Sequence, residues 1–222
     1  MQNAFSSPST VSGPLATRAL ACRRGRRLLF SDLDLQLEPG TVTWLRGTNG
    51  SGKTSLLRIL SGLSQPAEGQ VLWGGLPLHQ AGAEARLGTV YISHANALKD
   101  DLTLVEAVAF NAALSGLESP ASRAEAALDA MGLRSRRDAA VRTLSQGQRR
   151  RGALARLRLD DRPRTWILDE PFDALDAASV DGLSRLIETH AQRGGAVLLT
   201  SHQPIALAGT REFDLEPFRA VP

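Results

Sequence analysis

The 222-residue chain contains a single cysteine, Cys22. No intramolecular disulfide can form, and a reducing compartment suits it. It has no run of 18 apolar residues, the length a helix needs to cross a bilayer. It has no heptad run and no internal repeat, which argues against a coiled coil or a solenoid. The opening stretch MQNAFSSPSTVSGP lacks a basic start followed by an apolar segment. It does not read as a secretory signal, and residues 1–15 are expected to be a disordered tail. Net charge is only +3, too small to argue for a nucleic-acid or membrane partner. What is left is a length that suits one α/β domain with an inserted lobe, and that buries a core without cross-links.

The charge is unevenly spread. Arginines crowd residues 134–164, including Arg142, Arg149, Arg150, Arg151, Arg156 and Arg164. Such a cluster faces either an anionic partner or solvent. Apolar patterning predicts strands over about 17–22, 28–37, 41–46, 70–73, 88–92, 165–169 and 196–200. It predicts helices over about 53–62, 104–115, 121–131, 146–159 and 177–191. Thr103 and Glu106 have the spacing of a capping box at the start of the second helix. Strand-rich flanks around a helical stretch predict an α/β core over residues 16–210, with a helical lobe inserted at about 94–160. Residues 211–222 are expected to be a short tail.

The strongest motif is Gly47-Thr48-Asn49-Gly50-Ser51-Gly52-Lys53-Thr54, which follows an apolar strand and opens a helix. It fits G-x-x-x-x-G-K-[ST]. A phosphate tail needs several backbone N–H groups converging on it, and glycines allow that curl. The helix dipole adds positive potential, Lys53 is placed for the β- and γ-phosphates, and Thr54 for Mg²⁺. The run TWILDEP delivers Asp169 and Glu170 at the end of an apolar strand. Strand ends are where ligands bind in open α/β sheets. Asp169 is the candidate to hold Mg²⁺ through water, and Glu170 to deprotonate an attacking water.

A third motif lies 24 residues before Asp169: Leu144-Ser145-Gln146-Gly147-Gln148. Here the chain resembles the ATP-binding cassette (ABC) ATPases, whose signature reads Leu-Ser-x-Gly-Gln. The resemblance runs from about residue 17 to 203. It takes in Ala174-Leu175-Asp176, similar to the family's D-loop, and His202, similar to its switch histidine. It implies a P-loop NTPase of ABC type, with a RecA-like core sheet, an antiparallel β subdomain and an α-helical lobe. It also implies a homodimer that sandwiches ATP and Mg²⁺, with Ser145, Gly147 and Gln148 of one copy against the nucleotide of the other. Lys53, Glu170 and His202 would then be the catalytic set.

The loop YISHANALKDDLT carries His94 where most of the family has glutamine. A neutral imidazole has one donor and one acceptor, so it can replace an amide in a water-mediated metal contact. Histidine in that place resembles one subgroup, the ATP-binding subunits of cytochrome c maturation haem exporters. GQVLWGGLPL and WILDEPFDALD agree with it. That resemblance implies ATP hydrolysis coupled to haem export or to release of a haem-loaded chaperone. It also implies integral-membrane partner subunits, a peripheral place on the cytoplasmic face of the inner membrane, and no nucleic acid. Alternatives are an ABC subunit for another cargo and a soluble mechanochemical ABC ATPase. The first strand lacks the aromatic that stacks on adenine in this family, and Arg23 or Arg24 is the candidate replacement.

Overall fold

A computed structural model describes residues 15–204 and 207–220; most of the expected tail 1–15 lies outside them. Two sheets organise the chain. The first is antiparallel, in the order β2-β1-β5-β6 with β3 also paired to β1. Its strands are β1 (Leu15–Arg24), β2 (Arg27–Leu33), β3 (Gln36–Leu37), β5 (Glu68–Trp73) and β6 (Leu76–Pro77), interrupted in sequence by β4 (Val42–Arg46) and α1 (Lys53–Leu60). The predicted strand over 28–37 is split at residues 34–35, just after Asp32 adopts φ 50°, a conformation a side chain tolerates poorly. Thr17 ties the two pieces to β1, donating to the Leu33 carbonyl and accepting from the Leu35 N–H.

The second sheet is parallel throughout, in the order β10-β4-β9-β8-β7. After α2 (Leu78–Gly88) come β7 (Thr89–Ile92), then α3 (Leu104–Leu114), α4 (Pro120–Ala130) and α5 (Gln146–Leu154). The sheet resumes with β8 (Thr165–Leu168), α6 (Ala177–Gln192), β9 (Ala196–Thr200) and β10 (Arg211–Asp214). All residues of β8 and β9 are buried, which is why they read as unbroken apolar runs rather than alternating ones. The predicted helix over 146–159 ends as α-helix at Leu154 and continues as a 3-10 turn over Ala155–Arg158.

Residues 211–214 are not a tail. They form the edge strand beside β4, and Arg46 pairs with Glu212 across it at 2.6 Å. A four-residue charged strand carries no apolar signal, and charge on an edge strand is a common protection against further pairing. Also missed are the two-residue β6, short 3-10 turns and α2, whose Gly-punctuated sequence has Gly82 at φ 53° inside it.

The apolar core has three clusters. One joins the antiparallel sheet, α1 and one face of the parallel sheet, around Phe30, Leu45, Leu57 and Leu198. A second covers the other face, around Trp166, Leu168, Leu183 and Leu199. The third belongs to the helical lobe, around Leu104, Val108, Leu128 and Val141. Thr103 caps α3 in the predicted capping box with Glu106.

Candidate functional site

A parallel sheet presents the carboxyl ends of its strands on one edge. Four of the sequence-predicted groups follow from that alone. The phosphate-loop motif leaves β4, His94 follows β7, Asp169 and Glu170 follow β8, and His202 follows β9.

The loop over 47–54 curls through left-handed glycines at Gly50 (φ 80°) and Gly52 (φ 112°). Gly47 has a packing reason as well: a Cβ there would sit 2.8 Å from Ser51 Oγ. Ser51 is buried beneath the loop. A Cβ at Gly52 would press on the Phe30 ring at 3.1 Å, so β2 backs the loop closely. Lys53, the first residue of α1, folds over the curl and donates to the Gly47 carbonyl at 2.7 Å and the Thr48 carbonyl at 3.2 Å. Thr54 is exposed on the first turn of α1. Asn49 and Gly50 form the exposed tip.

Asp169 is 3 % exposed. Its Oδ1 accepts from the Thr200 hydroxyl at 3.0 Å, while its buried Oδ2 has no hydrogen-bond partner among the described residues. A buried carboxylate oxygen without a partner is costly. It suits an acceptor for a metal-bound water, so this donor set fits a magnesium ion shared with Thr54. Thr200 also accepts from the Glu170 N–H at 2.9 Å. One hydroxyl therefore ties the Asp169 carboxylate to the Glu170 backbone. The register explains it: Leu168 pairs with Leu199, which places Thr200 alongside Asp169.

Glu170 sits at φ 49°, a strained conformation for a non-glycine residue. Its side chain is largely buried and accepts from the His202 N–H at 2.9 Å, with the imidazole Nε2 at 3.5 Å from the other oxygen. Burial pushes its carboxyl above the ordinary value; the His202 side chain and N–H oppose the shift, and Asp173 and Asp169 add to it. A raised carboxyl is a better proton acceptor than an ordinary one. His94 is exposed, with Nδ1 3.5 Å from Asp173 Oδ2, so it stands at the rim beside the acidic loop.

Ser145, Gly147 and Gln148 lie at the N-terminus of α5. Ser145 and Gln148 form a capping box, the serine oxygen accepting from the Gln148 N–H and Gln148 Oε1 accepting from the Ser145 N–H. The serine proton remains free to donate outward. Among the described residues no hydrogen bond joins this group to residues 47–54 of the same chain.

Three residues of the site were not singled out from the sequence. Thr200 is one. Arg150 is another: it is 2 % exposed and donates into the loops after β7 and β8. Arg164 is buried too and pairs with Asp160. The arginine cluster is therefore partly internal rather than one face toward solvent or an anion. The third is Glu216, which accepts from the Thr48 N–H at 2.6 Å and from Arg219 at 2.7 Å. These bonds hold its carboxyl down at about 2. Arg23 and Arg24 are exposed at the end of β1, next to the turn at Gly25.

A phosphate loop, two carboxylates and a histidine on one edge of a parallel sheet, with a capped signature helix in an inserted lobe, define an ABC-type ATPase. The family model for ABC transporters matches residues 30–173, and the chain belongs to that family. Its relatives narrow this further. The cytochrome c biogenesis ATP-binding export protein CcmA of Pseudomonas fluorescens is 48% identical over 209 residues, which is 92% of this chain and 97% of that one. The protein of the same name from Methylococcus capsulatus is 46% identical over 196 residues, 88% of this chain and 94% of that one. At that identity and coverage the chain belongs to this group of export proteins. In fold it is similar to a putative ABC transporter ATP-binding protein of Pyrococcus furiosus, with a TM-score of 0.79 and 21% identity over 93% of this chain and 100% of that one.

Proposed function

We propose that two copies of this chain hydrolyse ATP to ADP and phosphate while bound to membrane subunits of an exporter serving cytochrome c assembly. The observation that carries the reading is the arrangement of Glu170: buried, raised, and held by the His202 N–H and, through its own N–H, by Thr200.

The phosphate-loop N–H groups and Lys53 bind the triphosphate. Thr54, with Asp169 acting through water, would hold Mg²⁺, whose chemistry is to neutralise charge on the transferred phosphoryl group. Glu170 accepts a proton from the attacking water. His202 orients Glu170 through its N–H and presents its ring toward the γ-phosphate. His94, at the rim, would contribute to holding Mg²⁺ through water. Ser145, Gly147 and Gln148 complete the opposite copy's site from the N-terminus of α5, where the helix dipole favours an anion. A homodimer supplies that arrangement; among the described residues of one chain these three make no hydrogen bond to the loop.

The export role follows the names of the relatives, which are cytochrome c biogenesis ATP-binding export proteins; haem as cargo, or release of a haem-loaded chaperone, rests on the subgroup resemblance carried by His94 and its neighbours. The exposed Phe110 and Leu114 on α3 support docking of the helical lobe on membrane subunits. No helix among the described residues is long and apolar enough to cross a membrane. Peripheral attachment to the cytoplasmic face of the inner membrane belongs to the reading as an exporter's ATP-binding subunit. Nucleic acid is not a partner in this reading. Adenine rests on Arg23 or Arg24, whose hairpin continues into the strand backing the phosphate loop.

The test is purification of the Glu170→Gln variant from membranes with ATP. A trapped dimer should retain integral-membrane partners, and their identity reads out the cargo. Hydrolysis that persists in that variant, or in a solitary protomer, would sink the proposal.

A further inference from the structure

We propose that Arg150 is a positioning residue that couples the two composite ATP sites, by locking the helix offered to the partner's nucleotide onto the loop that carries this protomer's own base. The inference rests on the dimeric reading above and deepens it.

Arg150 lies in the middle of α5 and its side chain is buried. Nη2 donates to the carbonyls of Asp169 at 2.9 Å and Glu170 at 2.6 Å, and Nε to that of Pro171 at 3.4 Å. Nη1 donates to the Ser93 carbonyl at 2.9 Å and to Asn96 Oδ1 at 3.4 Å. One planar group thus joins three pieces of chain: the signature helix, the loop that carries His94, and the loop that carries the metal and base carboxylates. A lysine offers one compact ammonium and cannot span that fork.

The direct acceptors are all neutral, although the charges of Asp173, Asp169 and Glu170 nearby partly offset the burial of the cation. Among the described residues no carboxylate lies within ion-pairing distance of the guanidinium. Burying a cation against backbone carbonyls is an expensive way to fill space, and an apolar side chain of similar volume would fill it more cheaply. The arrangement is explained by what it orients.

The same helix also approaches the same loop closely. Ala174 adopts φ 60°, and its carbonyl lies 2.9 Å from where a Cβ of Gly147 would be. Only glycine lets the two approach so closely. Ser145 at the tip of α5 therefore cannot shift without dragging the backbone of Glu170, and the reverse also holds. A rearrangement on phosphate release in one site is carried to the serine serving the other. The coupling element is a rigid body with named contacts.

The experiment uses the assembled membrane complex with full-length chains. Parent and Arg150→Lys copies carrying different tags are co-expressed, and complexes holding one of each are isolated by tandem purification. In the separate chain, ATP binding by Arg150→Lys should stay within about twofold of the parent, since Arg150 touches no phosphate-loop residue, while turnover of the assembled complex falls about tenfold or more. The mixed complex should turn over at less than about a quarter of the parent rate, because one altered copy disturbs both sites. Turnover of the mixed complex at half or above overturns the proposal, as does parent-like turnover in Arg150→Lys. A residue needed only for stability would lower the melting temperature but leave turnover per folded complex unchanged, which also overturns it. Should the lysine variant fail to assemble, Arg150→Gln removes the buried charge, keeps one donor group, and is read against the same thresholds. Failure of the ATPase reading itself shows separately, as hydrolysis surviving in Glu170→Gln.

Discussion

Replacing Thr200 by valine keeps the shape of the side chain and removes one oxygen. That oxygen donates to Asp169 and accepts from the Glu170 N–H, and all three groups are buried. The bond to a charged carboxylate is worth about 1.5–3 kcal/mol, and leaving a buried N–H unpaired costs about 1–3 kcal/mol. Burying a methyl in place of the hydroxyl returns about 1 kcal/mol. The net expectation is a loss of about 3 kcal/mol. At about 2–4 °C per kcal/mol for a chain of this size, the melting temperature drops by about 6–12 °C. Urea denaturation of the purified chain at neutral pH measures the free energy directly. Thr200→Ser keeps the hydroxyl and loses only a methyl, so it should cost about 1 kcal/mol. Turnover of the assembled complex should follow the hydroxyl: the serine variant stays active while the valine variant is severely impaired. Valine within about 1 kcal/mol of the parent, or serine as damaging as valine, would refute the role given to this hydroxyl.

Further outcomes are expected. Gly147→Ala places a methyl against the Ala174 carbonyl at 2.9 Å, so α5 or the acidic loop must shift; turnover should fall with ATP binding retained, as seen by comparing equilibrium nucleotide binding with steady-state hydrolysis. Lys53→Ala should abolish nucleotide binding measured with a fluorescent ATP analogue, and unchanged binding would remove Lys53 from the site. Glu216 titrates well below the ordinary carboxylate value of 4.5, at about 2, because Arg219 and the Thr48 N–H and hydroxyl hold its charged form. A depressed pKa contributes stability that is complete above the unfolded-state value and is lost as pH falls through the folded one. The melting-temperature gap between the parent and Glu216→Gln should therefore be full at pH 7 and shrink from about pH 4.5 toward pH 2; a gap independent of pH would contradict the latch. Arg23→Ala or Arg24→Ala should weaken ATP binding, and full retention in both would rule out guanidinium stacking on adenine.

The parts of the site that were legible in the sequence are those where chemistry demands residue types at fixed spacing. A backbone cradle needs glycines, so residues 47–54 announce themselves. A strand that ends in two acids announces β8, because a fully buried parallel strand has no alternation to blur it. What was not legible depends on register and long-range contact. Nothing near Thr200 in sequence says that it faces Asp169; that follows only once β8 and β9 are aligned. Arg150 sits among other arginines, and only burial distinguishes it. Glu216 meets the phosphate loop across 168 residues of chain, from a 3-10 turn over Glu216–Phe218 that follows a strand too short and too charged to read as one.

The core clusters suggest why arginines were placed where they are. The helical lobe has its own apolar cluster, separate from the two that cover the parallel sheet. Apolar contact alone would let the lobe slide, since such packing is non-directional. α5 bridges the two regions: Leu144 just before it packs in the lobe, and Leu154 at its end packs against the sheet. Directional bonds fix the junction. Arg150 reaches the loops after β7 and β8, Arg156 donates to the Tyr91 carbonyl at 3.3 Å, and Arg123 ties α4 to the Leu159 carbonyl at 2.9 Å. Apart from Asn96 Oδ1, which Arg150 also reaches, each of these acceptors is a backbone oxygen. Backbone acceptors move with the chain itself, so displacement of a strand-end loop is passed to the lobe without waiting on a side-chain rotamer. An arginine-rich insertion that looks like a surface for binding anions is, at these positions, the joint between the catalytic edge and the lobe.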